Sequence, residues 1–294
     1  MKLTKAIEQY LHKLEADGRS PLTIEVYGRE LANLDKFLGN INVSRLNSEL
    51  IHEFVVSDTV QHKPDGSPRG PATISRTKAT LRSFGRFLEE TGLVPANPAR
   101  DLRISRTPRK EPAFLTAEEK KRLVKAVAAH RGDAADRDRV ILELFLGTGI
   151  RLAELVNIDL PDVRLDQKRL VIKSAKGGQP ETRFLNTRLR TILRKHLRAR
   201  RRAFAHDPAL FLSNRSTRIT ARQVERRFSK WLEWAGISKK LSVHSLRHTF
   251  ATHLYGRTRN LVLVSKALGH RQVSTTQVYT HLFDDELEDA LEAL

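Results

Sequence analysis

Thr148-Gly149-Ile150-Arg151-Leu152-Ala153-Glu154-Leu155 places an arginine at a corner between two helices. The run before it, from about Arg137 to Leu146, has helical spacing and ends in Gly147-Thr148-Gly149. A new helix starts near Ile150, with Leu152, Leu155 and Val156 as its apolar side. Glycines end helices because they tolerate the left-handed backbone of the terminal turn, so Arg151 follows a tight reversal. Glu154 lies one helical turn after it.

Outward from this corner the chain is mainly α with a small β-sheet, an α+β fold in two domains. Upstream, Thr116-Ala117-Glu118-Glu119 matches the capping box that opens a helix. Downstream, Leu170-Val171-Ile172 and Phe184-Leu185 read as a strand pair joined across Lys176-Gly177-Gly178, which puts Lys176 in a β-turn region. Helices are expected over 187–203, over 220–235 with Val224, Phe228, Trp231 and Leu232 on one face, and over 244–255, 261–268 and 274–281.

The first hundred residues read as a bundle of about four helices. Thr4 is expected to cap the first, whose apolar face is Ile7, Tyr10, Leu11 and Leu14, and Ser20-Pro21 opens the second. A short helix covers 49–56, the stretch 63–68 is a loop, and Ile74, Leu81, Phe84 and Leu88 mark one more long helix. The resulting domains are 1–94 (a helical bundle), 95–112 (a proline-punctuated basic linker), 113–283 (a mixed domain with the small sheet) and 284–294 (an acidic tail helix).

With 53 Lys and Arg against 34 Asp and Glu, the chain suits a polyanionic partner. The excess is concentrated: residues 167–283 hold 26 bases and 4 acids, whereas residues 284–294 hold six acids and no base. Charge alone leaves open a basic protein with no nucleic acid partner. The absence of cysteine excludes disulfides, thiolate catalysis and cysteine zinc sites. With no signal sequence and no run of about 18 apolar residues, a soluble cytoplasmic protein without a membrane partner is expected.

In His244-Ser245-Leu246-Arg247-His248 the first and fourth residues are one turn apart, a pairing suited to holding a phosphate. His244 with His248 lacks a third ligand nearby, so no metal site is expected. Arg200-Arg201-Arg202 and Arg226-Arg227 are expected to face DNA phosphates or water. Farther on, Leu268-Gly269-His270 is followed nine residues later by Tyr279.

These three blocks, 148–155, 244–254 and 270–281, in this order, resemble the tyrosine recombinases of the phage integrase and Xer group. The resemblance implies that Tyr279 is the nucleophile, that Arg151, Lys176, His244, Arg247 and His270 surround the scissile phosphate, and that Glu154 buttresses the arginines. Lys173 is the competing lysine, and the glycines at 177 and 178 favour Lys176 as the hairpin tip. The implied chemistry is cleavage and rejoining of double-stranded DNA at a specific site through a 3′-phosphotyrosyl bond, without metal, ATP or other cofactor. The implied assembly is a homotetramer on paired sites, with a partner recombinase or accessory protein as a further expectation. Leu287, Ala290, Leu291 and Leu294 give the tail an apolar stripe, expected to dock on a neighbouring protomer or on its own domain. Two other activities remain open: relaxation of DNA by a type IB topoisomerase, and non-catalytic regulation by DNA binding.

Overall fold

The computed structural model describes residues 1–105, 112–131, 133–173, 180–202 and 206–269. The expected helix over 274–281 and the acidic tail lie outside these residues. The chain divides into two compact units, Met1–Arg109 and Lys110–Leu294.

The first unit is built from α1 (Leu3–Ala16), α2 (Pro21–Leu38), α3 (Ser48–Val56), α4 (Asp58–Gln61) and α5 (Pro71–Glu90). Ser20 caps α2 as expected, its hydroxyl accepting from the Thr23 amide at 3.2 Å. Thr4 does not cap α1. The helix begins at Leu3, whose amide donates to the Ile41 carbonyl at 2.9 Å, and the Thr4 amide donates to the Asn40 side chain at 3.3 Å. A tertiary strand-like contact and a distant asparagine thus satisfy amides that would otherwise be orphaned, and the Thr4 hydroxyl is left to donate to Asp35 at 2.8 Å. The core joins Leu3, Ile7, Tyr10, Leu31, Leu34 and Phe84, with the Tyr10 ring tilted against Phe84 at 5.4 Å. Ala99 and Leu102 belong to this same core, so the part of the 95–112 stretch that reaches Leu102 is folded against it.

The second unit contains α6 (Ala117–Ala129), α7 (Asp133–Thr148), α8 (Leu152–Val156), β1 (Val163–Arg164), β2 (Arg169–Ile172), β3 (Glu181–Phe184), α9 (Thr187–Arg202), α10 (Ala221–Trp234), α11 (Val243–Thr258) and α12 (Leu261–Leu268). The capping box at Thr116 and Glu119 forms in both directions, at 2.8 and 3.2 Å. Val140, Ile141, Leu142, Leu144 and Phe145 are all buried, so the C-terminal half of α7 is enclosed on every side and lies at the centre of the unit. The sheet is antiparallel in the order β1-β2-β3, with Leu170 opposite Arg183 and Arg169 opposite Phe184. β1 is only two residues long, too short to leave a periodic signal.

Two of the arginines expected to face phosphate or water are instead structural. Arg227 pairs with Asp138 at 2.6 Å, and the same fully buried carboxylate accepts from the Trp231 indole at 3.0 Å. Arg200 is buried, its Nε donating to the Ala209 carbonyl at 3.1 Å. A carboxylate inside the core demands a cation and further donors, and leaving such a charge unpaired costs about 3–5 kcal/mol. Arg201 and Arg226 are exposed. Among the described residues no helix is long and apolar enough to cross a membrane.

Candidate active site

The site begins where α7 ends. Gly149 has φ +61°, and a Cβ there would lie 2.5 Å from the Phe250 ring and 2.9 Å from Leu268, so both backbone and space require glycine. The reversal leaves Arg151 at the start of α8, where Glu154 holds it twice. The carboxylate accepts from the Arg151 amide at 2.9 Å and from its guanidinium at 2.6 Å. Burial alone would raise the Glu154 pKa, but those hydrogen bonds and the charges of Arg151 and Arg183 outweigh it and hold the group ionised. The Arg151 side chain remains 41% exposed and accessible to a ligand.

Arg247, on α11, is only 3% exposed. Its guanidinium donates to the Gly149 carbonyl at 2.6 Å and to the Leu268 carbonyl at 2.9 Å. Each oxygen lies at the C-terminal end of a helix, α7 or α12, where carbonyls lack intrahelical partners and carry the negative end of the dipole. Arg247 therefore ties the corner that presents Arg151 to the end of α12. One turn earlier His244 is exposed, its ring edge-on to that of His248 at 4.7 Å. Its pKa is lowered from 6.5 by desolvation first and then by the charges of Arg247 and Arg151. Arg151, Glu154, His244 and Arg247 are thus brought into one neighbourhood, with His244 neutral at pH 7.

Arg183 is the residue that sequence reading missed. It is 4% exposed on β3 and donates through Nη2 to Glu181 at 2.9 Å and to the Leu268 carbonyl at 3.0 Å. Phe184 beside it is 58% exposed, so the strand buries its cation and exposes its aromatic ring. The only sequence signal is strand alternation, which puts Arg183 on the face of Leu170 and Ile172.

Lys176, His270 and Tyr279 lie outside the described residues. Lys173, the competing lysine, bonds Asp159 at 2.5 Å and Asp162 at 3.2 Å. The hydrogen bond to Asp159 is the main cause that raises its pKa, which ill suits a proton donor. Among the described residues no three His, Asp or Glu side chains are placed to hold a metal ion.

The pattern of the phage integrase family matches residues 113–286, and that of the phage integrase N-terminal SAM-like domain matches residues 7–92. The chain belongs to the phage integrase family. This integrase-family chain is 33% identical to tyrosine recombinase XerC of Chromohalobacter salexigens, over 97% of its own length and 93% of the relative. It is 32% identical to tyrosine recombinase XerC of Vibrio cholerae, over 95% and 89% of the two chains. Its activity is that of a tyrosine-type site-specific DNA recombinase. In fold it matches XerH site-specific recombinase bound to difH substrate, with TM-score 0.73, 21% identity and coverage of 99% and 84% of the two chains. A lambda integrase dimer bound to a core site matches with TM-score 0.72 and 18% identity over 94% of this chain and 97% of that one.

Proposed function

We propose that Tyr279 is the nucleophile of the recombination reaction and that Arg151, Lys176, His244, Arg247 and His270 act on the same phosphate. The Tyr279 oxygen attacks phosphorus, the bond from phosphorus to the 5′ oxygen breaks, and the products are a 3′-phosphotyrosine and a free 5′ hydroxyl. His244 takes the phenolic proton, and Lys176 gives a proton to the departing oxygen. Arg151 and Arg247 neutralise the charge that builds on the non-bridging oxygens, and His270 donates a hydrogen bond to one of them. Glu154 keeps Arg151 in place. The new ester is chemically close to the bond it replaces, so the reverse attack rejoins DNA without ATP.

The observation that carries this reading is the convergence of two guanidiniums and a neutral imidazole. The Arg247 and Arg151 charges both act on His244, and Arg247 is bonded to the corner that presents Arg151. A guanidinium has five N–H donors, so bonds to two backbone carbonyls are compatible with phosphate contact. A duplex nicked near the cleavage position should trap the chain covalently, because the short fragment that carries the free 5′ hydroxyl diffuses away. Peptide mapping of the trapped species should then place the phosphate on Tyr279.

A base must be unprotonated to act, so the lowered His244 pKa extends activity toward acid. At subsaturating DNA the midpoint of the acid limb of the cleavage rate should lie below pH 6.5. His244→Gln should remove that acid limb and slow cleavage by about 10²–10⁴-fold. A wild-type midpoint above pH 6.5 contradicts the assignment.

The partner is double-stranded DNA carrying a specific recombination site, and the working assembly is a homotetramer on two paired sites. A lambda integrase tetramer bound to a Holliday junction shares the fold of this chain, at TM-score 0.71. The tail, residues 284–294, supplies the apolar stripe that links protomers. A chain ending at Phe283 should bind a single site normally yet fail to form higher assemblies on paired sites. Unchanged assembly on chromatography with DNA rules the exchange out.

A further inference from the structure

We infer that Arg183 is a positioning residue of the strand-cleavage site, pinning the Leu268 carbonyl jointly with Arg247 and so fixing where the chain leaves α12 toward His270. The inference rests on the proposed role of His270, two residues beyond that carbonyl.

Three observations carry it. Arg183 and Arg247 arrive from different elements, β3 and α11, and their Nη2 atoms meet one oxygen at 3.0 and 2.9 Å. A carbonyl has two lone pairs, so both bonds can form, and together they fill its capacity. Gly269 follows with φ +66°, and a Cβ there would lie 2.0 Å from the Glu181 carboxylate and 2.5 Å from Arg183 Nη2. The arginine and its carboxylate partner therefore close over the backbone at the turn. Glu181, bonded to Arg183 at 2.9 Å, stands opposite Ile172 in the hairpin whose connection contains Lys176. Arg183 thus joins the hairpin of one proposed proton donor to the helix end that precedes the other phosphate-facing group.

Stability alone gives little reason for this arrangement. Two buried guanidiniums on one oxygen repel each other, and a buried ion network can often be replaced by apolar side chains without loss. Holding a reacting constellation in register is a separate demand, since a displacement of about 1 Å can cost about 10²-fold in rate.

The test uses the full chain and the nicked duplex. Arg183→Met should slow adduct formation by about 10²-fold while DNA affinity stays within about twofold of wild type. Glu181→Gln, at a partly exposed position and safe for folding, should give a smaller loss in the same direction. If Arg183 acts through the α12 end, its loss should not multiply with that of His270→Ala: the double variant should cleave within about threefold of the slower single variant. Hydrogen exchange of the amides in 265–269 should also speed up in Arg183→Met, with protection in α7 unchanged. Cleavage by Arg183→Met within about threefold of wild type, fully multiplicative losses, or unaltered exchange at the α12 end would each overturn the inference. Should wild type form no adduct, the proposed chemistry fails, and the exchange measurement still decides whether Arg183 pins the helix end.

Discussion

Tyr279→Phe should remove the covalent protein–DNA adduct and leave binding to the recombination site within about twofold of wild type, since the substitution deletes one oxygen and little contact surface. A ring without a hydroxyl has nothing to place in line with the phosphorus. In the proposed site the arginines and His244 would remain, but charge neutralisation and a base supply no nucleophile. Losing the attacking group of a concerted constellation commonly costs about 10⁴-fold or more, so single-turnover cleavage should fall below detection. A protein that only binds DNA would be indifferent to the change, and a persistent adduct in the variant would move the nucleophile elsewhere. Denaturing gels of the nicked duplex with both proteins read the result directly.

Arg247→Lys carries the second large effect, and it acts on two quantities at once. Removing one charged donor from a transition state costs about 10²–10³-fold in rate. Lysine cannot span the Gly149 and Leu268 carbonyls, which Arg247 reaches at 2.6 and 2.9 Å, so at least one of these bonds is lost. Leu268 keeps its bond from Arg183 at 3.0 Å, whereas a Gly149 carbonyl left without this donor destabilises the fold by about 1–3 kcal/mol. Arg151→Lys should slow cleavage similarly with a smaller fall in melting temperature, because its side chain is 41% exposed and its carboxylate partner can accept an ammonium. Cleavage by Arg247→Lys within about tenfold of wild type would remove the residue from the transition state.

Helix positions were legible wherever a cap coincided with an apolar period. Ser20 before Pro21, and Thr116 with Glu119, are local signals, and local geometry decided the outcome. The corner at Gly149 was legible for the same reason. Charge placement was not. Arg227 turns inward, part-buried, because Asp138, far away in sequence, is inside, and Arg200 is buried because the Ala209 carbonyl turns toward it. Nothing in a run of consecutive arginines distinguishes the member that meets a distant carboxylate from its exposed neighbours. Arg183 was hidden more deeply, since hydrophobicity points to Phe184 as the inward residue of β3 while the register puts Arg183 opposite buried Leu170. All the proposed site residues came from motif resemblance, and the four that lie among the described residues share one neighbourhood: Arg151, Glu154, His244 and Arg247.

Two of the left-handed glycines, Gly149 and Gly269, set an evolutionary limit on this chain. Exposed cations of α9 such as Arg194 and Arg198 can be exchanged one by one without striking a buried neighbour. Codons 149 and 269 have no such latitude, because any side chain at the first strikes Phe250 and Leu268, and any at the second strikes Glu181 and Arg183. Lineages that diverge in target preference must do so around these two fixed points.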